Sequence, residues 1–159
     1  MQGASPLIKN NIITNNRSAK KRGGIRCSIY SSPRISANRI TNNVASYLGG
    51  GIYWRKGSCP DIRNNIITYN SAGEKGGGLF GSSYVEKTVN QTDVVIIYCV
   101  IRKNISPVGP SIALGGSSSK VIMSHCNIED LEESVYDPEG IVIWSGGNID
   151  YKHSDFALQ

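Results

Sequence analysis

The stretch Pro60–Leu79, PDIRNNIITYNSAGEKGGGL, has two further copies in the chain. They are PRISANRITNNVASYLGGGI over residues 33–52 and PLIKNNIITNNRSAKKRGGI over residues 6–25. A constant step of 27 in the numbering relates Pro6, Pro33 and Pro60, then Asn11, Asn38 and Asn65, then Ile13, Ile40 and Ile67. The same step relates Asn16, Asn43 and Asn70, and Gly24, Gly51 and Gly78. A repeat of this length without a slip means stacked copies of one supersecondary unit.

Each unit contains short apolar runs bounded by Gly, Asn and Pro, with no 3.6-residue period. Gly77-Gly78-Leu79-Phe80 opens a first strand, Asp61–Asn64 forms a second and Ile66–Tyr69 a third, followed by a polar loop from Asn70 to Gly76. Three strands per turn, each adding to its own parallel sheet, predict an all-β fold: a single-stranded parallel β-helix of about five to six coils, ~27 residues each. Successive coils then lie about 4.8 Å apart.

The residue types suit that geometry. Asn tolerates left-handed backbone angles better than any residue but Gly, so Asn11, Asn38 and Asn65 are expected to turn the corner between the second and third strands. Their amides can also stack as a ladder, coil upon coil. Ile8/Ile35/Ile62, Ile13/Ile40/Ile67 and Ile25/Ile52/Leu79 are the expected core stacks. Alternation places Cys27, Trp54 and Gly81 inward as well, the small residues making room for the indole. The other placement for Trp54 is a surface groove.

After Tyr84 the register slips. Tyr98–Asn104 reads as a fourth copy of the Asn64–Asn70 segment at a step of 34, which implies an insertion around Glu86–Asp93. Ser124–Asp130 returns to the step of 27, and Ile141–Trp144 supplies a later strand. One domain over residues 1–159 is expected, with regular coils over 5–84, irregular ones over 85–145 and a closing segment over 146–159.

The pattern P-x-I-x-N-N-x-I-x-x-N…G-G-G-I resembles the right-handed parallel β-helix repeat family, the pectate-lyase-like solenoids. It is most similar to their Asn- and Gly-rich repeats in bacterial and archaeal surface or secreted proteins. The resemblance is strong over residues 5–84 and weaker beyond. It implies right-handed coiling, in keeping with the handedness of parallel β connections. It also implies a secreted or cell-surface setting, although MQGASP at the start carries no signal-peptide features. In enzymes of this architecture it implies a substrate groove along the first sheet and its adjoining loops.

On that sheet Arg26, Tyr53 and Phe80 form one outward row, with Arg55 and Lys56 beside it. Aromatic rings stack on sugar rings and arginines pair with carboxylates, so an acidic polysaccharide such as a uronan is the expected ligand of Arg26, Tyr53, Arg55 and Phe80. An outward aromatic row can equally serve only to stabilise its sheet.

Catalysis has less support. Hydrolysis of a glycoside needs two carboxyl groups about 5–9.5 Å apart, and residues 1–84 contain only Asp61 and Glu74. The run Glu129, Asp130, Glu132, Glu133, Asp137 and Glu139 has enough carboxylates for an acid/base pair or a metal, but it reads as a solvated loop. His125 and Cys126 are adjacent strand residues and face opposite sides. His153 has no visible partner. No metal site and no cofactor are expected, and no phosphate loop or dinucleotide fingerprint is present. Asn16-Arg17-Ser18, Asn90-Gln91-Thr92 and Asn104-Ile105-Ser106 match glycosylation acceptors, as chance matches in an Asn-rich chain.

Charge is uneven. Residues 1–85 hold twelve Lys/Arg against two Asp/Glu, and residues 86–159 hold five against ten, giving +10 and −5. In a solenoid this makes one end basic and the other acidic. Lys20-Lys21-Arg22, Lys9, Arg17, Arg34, Arg39 and Arg63 are spread over several faces without interleaved aromatics, so nucleic acid is not the expected partner. No run reaches the ~20 apolar residues of a membrane span. The open first coil leaves unpaired strand edges, which favours self-association, with a dimer burying that coil expected. Four cysteines lack ligand spacing and are expected to be free and mostly buried. Cys99 and Cys126 are separated by the repeat step, so they can stack on neighbouring coils, near enough for a disulfide only if their side chains turn favourably. The leading reading is a non-catalytic β-helix module, part of or derived from a longer solenoid, that binds acidic carbohydrate or mediates surface contacts. A polysaccharide lyase or hydrolase, using Asp61, Glu74 or the late acidic run, and a ligand-free structural spacer are the alternatives.

Overall fold

The structure, a computed structural model, describes residues 3–19, 23–83, 93–117, 120–139 and 141–151. The chain winds into a tube whose wall is four parallel sheets. The first sheet stacks β1 (Leu7–Lys9), β5 (Arg34–Ser36), β9 (Asp61–Arg63), β13 (Val94–Ile97), β16 (Val121–Ser124) and β19 (Val142–Trp144). The second stacks β2 (Ile12–Thr14), β6 (Arg39–Thr41), β10 (Ile66–Thr68), β14 (Val100–Arg102), β17 (Asn127–Glu129) and β20 (Ile149–Tyr151). The third holds β3 (Arg17–Ser18), β7 (Val44–Ala45) and β11 (Ser71–Ala72). The fourth runs from β4 (Ile25–Ser28) through β8 (Ile52–Arg55), β12 (Leu79–Ser83) and β15 (Ile112–Ser117) to β18 (Val135–Tyr136). Between β17 and β18 lies one helical turn, α1 (Leu131–Ser134).

Registers follow the repeat. Ile35 pairs with Ile8 and Ile62, and Ile40 with Ile13 and Ile67, always one repeat step apart. Ile67 then pairs with Ile101, across the longer step that the insertion requires, and Ile101 with Ile128 at the regular one. Most of the inserted stretch lies outside the described residues. The aliphatic stacks form the core, with Ile35, Ile40, Ile52, Ile62, Ile67 and Leu79 wholly buried. Trp54 joins them with no exposed surface. Its indole occupies the space a side chain at Gly81 would need: a Cβ there would lie 2.2 Å from the ring. The inward placement of Trp54 between Cys27 and Gly81 therefore holds.

Three expectations change. A fourth strand per coil exists in the first three coils, inside what reads as loop: Ser71–Ala72 and its counterparts pair in parallel and turn Ala45 and Ala72 inward. The left-handed corner residue is not Asn11, Asn38 or Asn65 but the one before, Asn10, Ala37 and Asn64, at φ 60°, 53° and 55°. Placing the bend one residue earlier frees the next side chain to point into the tube. The late acidic run contains the helical turn α1 instead of being loop throughout. At the other end, Ile149–Tyr151 still adds a strand to the second sheet, and residues 152–159 lie outside the described residues.

The amide ladder is present, and there are two of them. The Asn38 N–H and Nδ2 both donate to Asn65 Oδ1, at 2.9 and 3.0 Å, while Asn38 Nδ2 also donates to the Ile8 carbonyl one coil back. Asn65 Nδ2 in turn donates to the carbonyls of Ile35 and Arg63. The second ladder, Asn16, Asn43, Asn70 and Asn104, repeats the scheme at the next corner. Away from the first coil these side chains are buried, so each one lost strands several main-chain groups away from water, at about 1–3 kcal/mol apiece. Asn65→Ala is expected to lower unfolding free energy by about 3 kcal/mol or more, whereas Asn11→Ala at the exposed first coil costs about 1 kcal/mol or less. Urea unfolding of the two variants side by side checks this; equal losses would show that ladder burial is not what matters.

Candidate functional site

The outer face of the fourth sheet carries the row Arg26, Tyr53, Phe80, Ala113 and Tyr136, each in register with the next. Tyr53 and Phe80 do not face solvent, contrary to the expectation for a sugar-stacking row. They are 3% and 6% exposed, with rings stacked at 5.6 Å and 11°. The covering comes from the loops before the strands. Leu48 packs on the rings, and Leu48, Lys75 and Val108 bridge in parallel from coil to coil. Gly49 and Gly76, at φ 65° and 67°, let the loop backbone press onto the row: a Cβ at either would sit 2.7 or 2.8 Å from Cβ of Tyr53 or Phe80. Tyr47–Leu48 and Glu74–Lys75, variable between the repeats, thus belong to a lid over a second small core. The Lys20–Arg22 loop lies outside the described residues. Tyr136, at the far end of the row, is 37% exposed and has Lys75 Nζ 4.8 Å from its ring centre.

Arg26, at the near end, is exposed and borders a hollow of about 230 Å³ shared with Ala4, Pro6, Ser28, Ser31 and Pro33. Arg55 pairs with Ser28, so it is a diagonal neighbour of Arg26 on the same face, about 7–8 Å away. Its Nε is buried without a hydrogen-bond partner in the structure. Of the four predicted residues, Arg26 borders the hollow and Arg55 lies diagonally from it on the same face, while Tyr53 and Phe80 are buried beneath the loops. Cys27 also borders the hollow, but burial pushes its thiol up to about 12, so it stays protonated and is no nucleophile.

A larger cleft, about 430 Å³, lies beside α1 and is lined by residues including Lys103, Ile105, Glu129, Asp130 and Glu133. Glu129 is nearly buried and accepts the Lys103 N–H. Asp130 is left-handed at φ 46° and Lys103 Nζ lies 5.4 Å from the Tyr69 ring centre. The acids stand out in the sequence but the cleft does not, because a helical turn of four residues is too short to show a helical period. The other candidate acids are elsewhere. Asp61 sits on the outer face of the first sheet, where Arg34 and Arg63 take one oxygen each, at 3.3 and 2.5 Å. Glu74 is exposed on the loop after β11. Among the described residues no group of three or more His, Cys, Asp or Glu is placed to hold a metal ion. No described helix is long and apolar enough to cross a membrane. Asn104, one of the glycosylation-like matches, is committed to the second ladder.

The family model described as a right handed beta helix region matches residues 1–156. The chain belongs to that family. Right-handed coiling follows for the tube described above. No curated protein and no solved structure matches the chain.

Burial of Cys27 has a consequence at alkaline pH. Below its ordinary value of 9.0 the thiol is protonated folded or unfolded; above it, only the unfolded thiol ionises until the folded one follows near 12. The stability present below pH 9.0 is therefore lost progressively between 9.0 and about 12. Reduced Cys27→Ala is expected to lose less stability than the reduced parent between pH 8 and pH 11, by denaturant melts at each pH. Parallel profiles would remove Cys27 as a source.

Proposed function

We propose that this chain is a non-catalytic β-helix module that recognises an acidic polysaccharide through Arg26 and Arg55. The observation that carries this reading is the hollow beside Arg26, with Arg55 on the same face and serine hydroxyls around it. A guanidinium fork matches a uronate carboxylate, and hydroxyls suit the remaining sugar oxygens. The basic half of the chain, from Met1 to Val85, carries +10, which raises the local concentration of a polyanion. Asp61 does not oppose this, being held by Arg34 and Arg63 on another sheet.

Titration calorimetry with oligogalacturonate tests the reading. Binding is expected to weaken with salt, and Arg26→Ala to reduce it about 10-fold, the worth of one charge-assisted contact. No binding, or binding indifferent to Arg26, would overturn it. The hydrolase alternative is favoured by one observation, the three carboxylates Glu129, Asp130 and Glu133 bordering one cleft. Incubation with uronate polymers decides it: new reducing ends lost in Glu129→Gln would replace the binding reading. Neither binding nor products would leave the spacer.

The first coil supports self-association. β1, β2 and β4 are edge strands of their sheets, and Leu7 and Ile12 are 61% and 75% exposed there. Asn11 and Asn16, in the same coil, donate to Asn38 and Asn43 of the next one. A second copy docking on this edge is expected to give a dimer in sedimentation at tens of micromolar, and Ile12→Lys to shift it to monomer. A monomer throughout that range would contradict it.

A further inference from the structure

Two cysteines take the place of asparagines in the first ladder. Ile97 pairs with Ser124 and Val100 with Asn127, so Cys99 and Cys126 between them stack in register on adjacent coils. The neighbouring pair confirms the stacking: the rings of Tyr98 and His125 are 4.8 Å apart. Each sulfur reproduces the contacts of a ladder amide. Cys99 Sγ donates to the Ile62 carbonyl and Cys126 Sγ to that of Ile96, as Asn65 Nδ2 does to Ile35. The N–H of Asn65 donates to the Cys99 sulfur, and that of Cys99 to the Cys126 sulfur, where Oδ1 accepts elsewhere. Beyond them, Asn148 Oδ1 accepts the Cys126 N–H and returns the ladder to amides. Both thiols are buried, at 1% exposure each.

We propose that Cys99 and Cys126 form a redox modification site, a dithiol that closes to an inter-coil disulfide when a low-molecular-weight disulfide oxidises it. Adjacent parallel coils hold in-register Cα atoms about 4.8 Å apart, inside the 4.4–6.8 Å window of disulfides. Two side chains leaving parallel strands from the same ladder position also point the same way, into the tube. The other two cysteines, Cys27 and Cys59, occupy no ladder position.

Contact between the two sulfurs lowers Cys126 from its ordinary value and raises Cys99, so Cys126 is the attacking group. Its thiolate displaces one thiolate from the small disulfide and forms a mixed disulfide. The Cys99 sulfur then gives up its proton and attacks the Cys126 sulfur, forming the Sγ–Sγ bond and expelling the second small thiolate. Two electrons pass from the protein sulfurs to the reagent, and the two thiol protons end on the released small thiols. Burial makes the exchange slow in the folded tube, so refolding is the step at which it is efficient.

The test is to refold the reduced protein with oxidised glutathione, unfold it in guanidinium with N-ethylmaleimide, and weigh it. The four free thiols of the reduced protein are expected to become two, with a single cross-linked peptide joining Cys99 to Cys126. The oxidised protein is expected to melt about 5 °C or more above the reduced one. Cys99→Asn/Cys126→Asn restores amides to the ladder; it should fold, alkylate fully at its two remaining thiols and show no oxidation-dependent shift. Four alkylated thiols in the treated parent, or a link through Cys27 or Cys59, would overturn the proposal whether or not the double variant folds.

Discussion

The tube depends on buried amides at its corners. A strand that turns sharply cannot satisfy its main chain within its own coil, and the corners are buried away from solvent. One asparagine side chain solves this in both directions. Asn43 donates its N–H and Nδ2 forward to Asn70 Oδ1 and its other Nδ2 hydrogen back to the Ile13 carbonyl. Three coils are thereby joined by one residue. An aliphatic side chain could fill the space but would leave those groups unpaired. The length of the repeat is fixed by this demand more than by the isoleucines, which need only be apolar and of suitable volume.

That constraint also shows where the chain can change length. The insertion falls between β12 and β13, outside both ladders, and the register is regained by Val94. Cys99 and Cys126 show the complementary case, in which the ladder residue itself changes but a donor and acceptor remain. The corner residue just before each ladder position is far freer. Ala37, Tyr98 and His125 all adopt the left-handed angle there. This explains why the sequence located the corner but misassigned its geometry by one residue. In an Asn-Asn pair either residue could make the bend, and only the hydrogen-bond pattern distinguishes them.

The rest of the fold was legible in proportion to how strongly each position is repeated and buried. Ile35, Ile40, Ile62 and Ile67 could be read at once, and so could Trp54 against Gly81, because volume must be conserved down a stack. The two-residue strand Ser71–Ala72 could not, since two small residues show no alternation. The sugar-stacking row failed for a different reason. Alternation along β8 says that Tyr53 points out of the tube, and it does. It cannot say that Leu48 and a glycine backbone from the same coil lie over it. Outward from the sheet and outward to water are separate properties wherever a loop folds back.

The lid over Tyr53 and Phe80 has a consequence for where recognition can occur. Loops that bridge Leu48, Lys75 and Val108 in register are held to the spacing of the strands beneath. Leu48 serves the second core, and a ligand cannot reach the rings without displacing it. On the proposed reading, recognition falls to the exposed ends of the row: Arg26 beside its hollow at one end, Tyr136 with Lys75 at the other. These ends also differ in charge, basic coils on one side and the acids Glu129, Asp130 and Glu133 on the other. A polyanion and a cationic or neutral ligand would thus be sorted to opposite ends of the same tube by the order of charges along the chain, with the repeated middle coils acting as a rigid spacer between them.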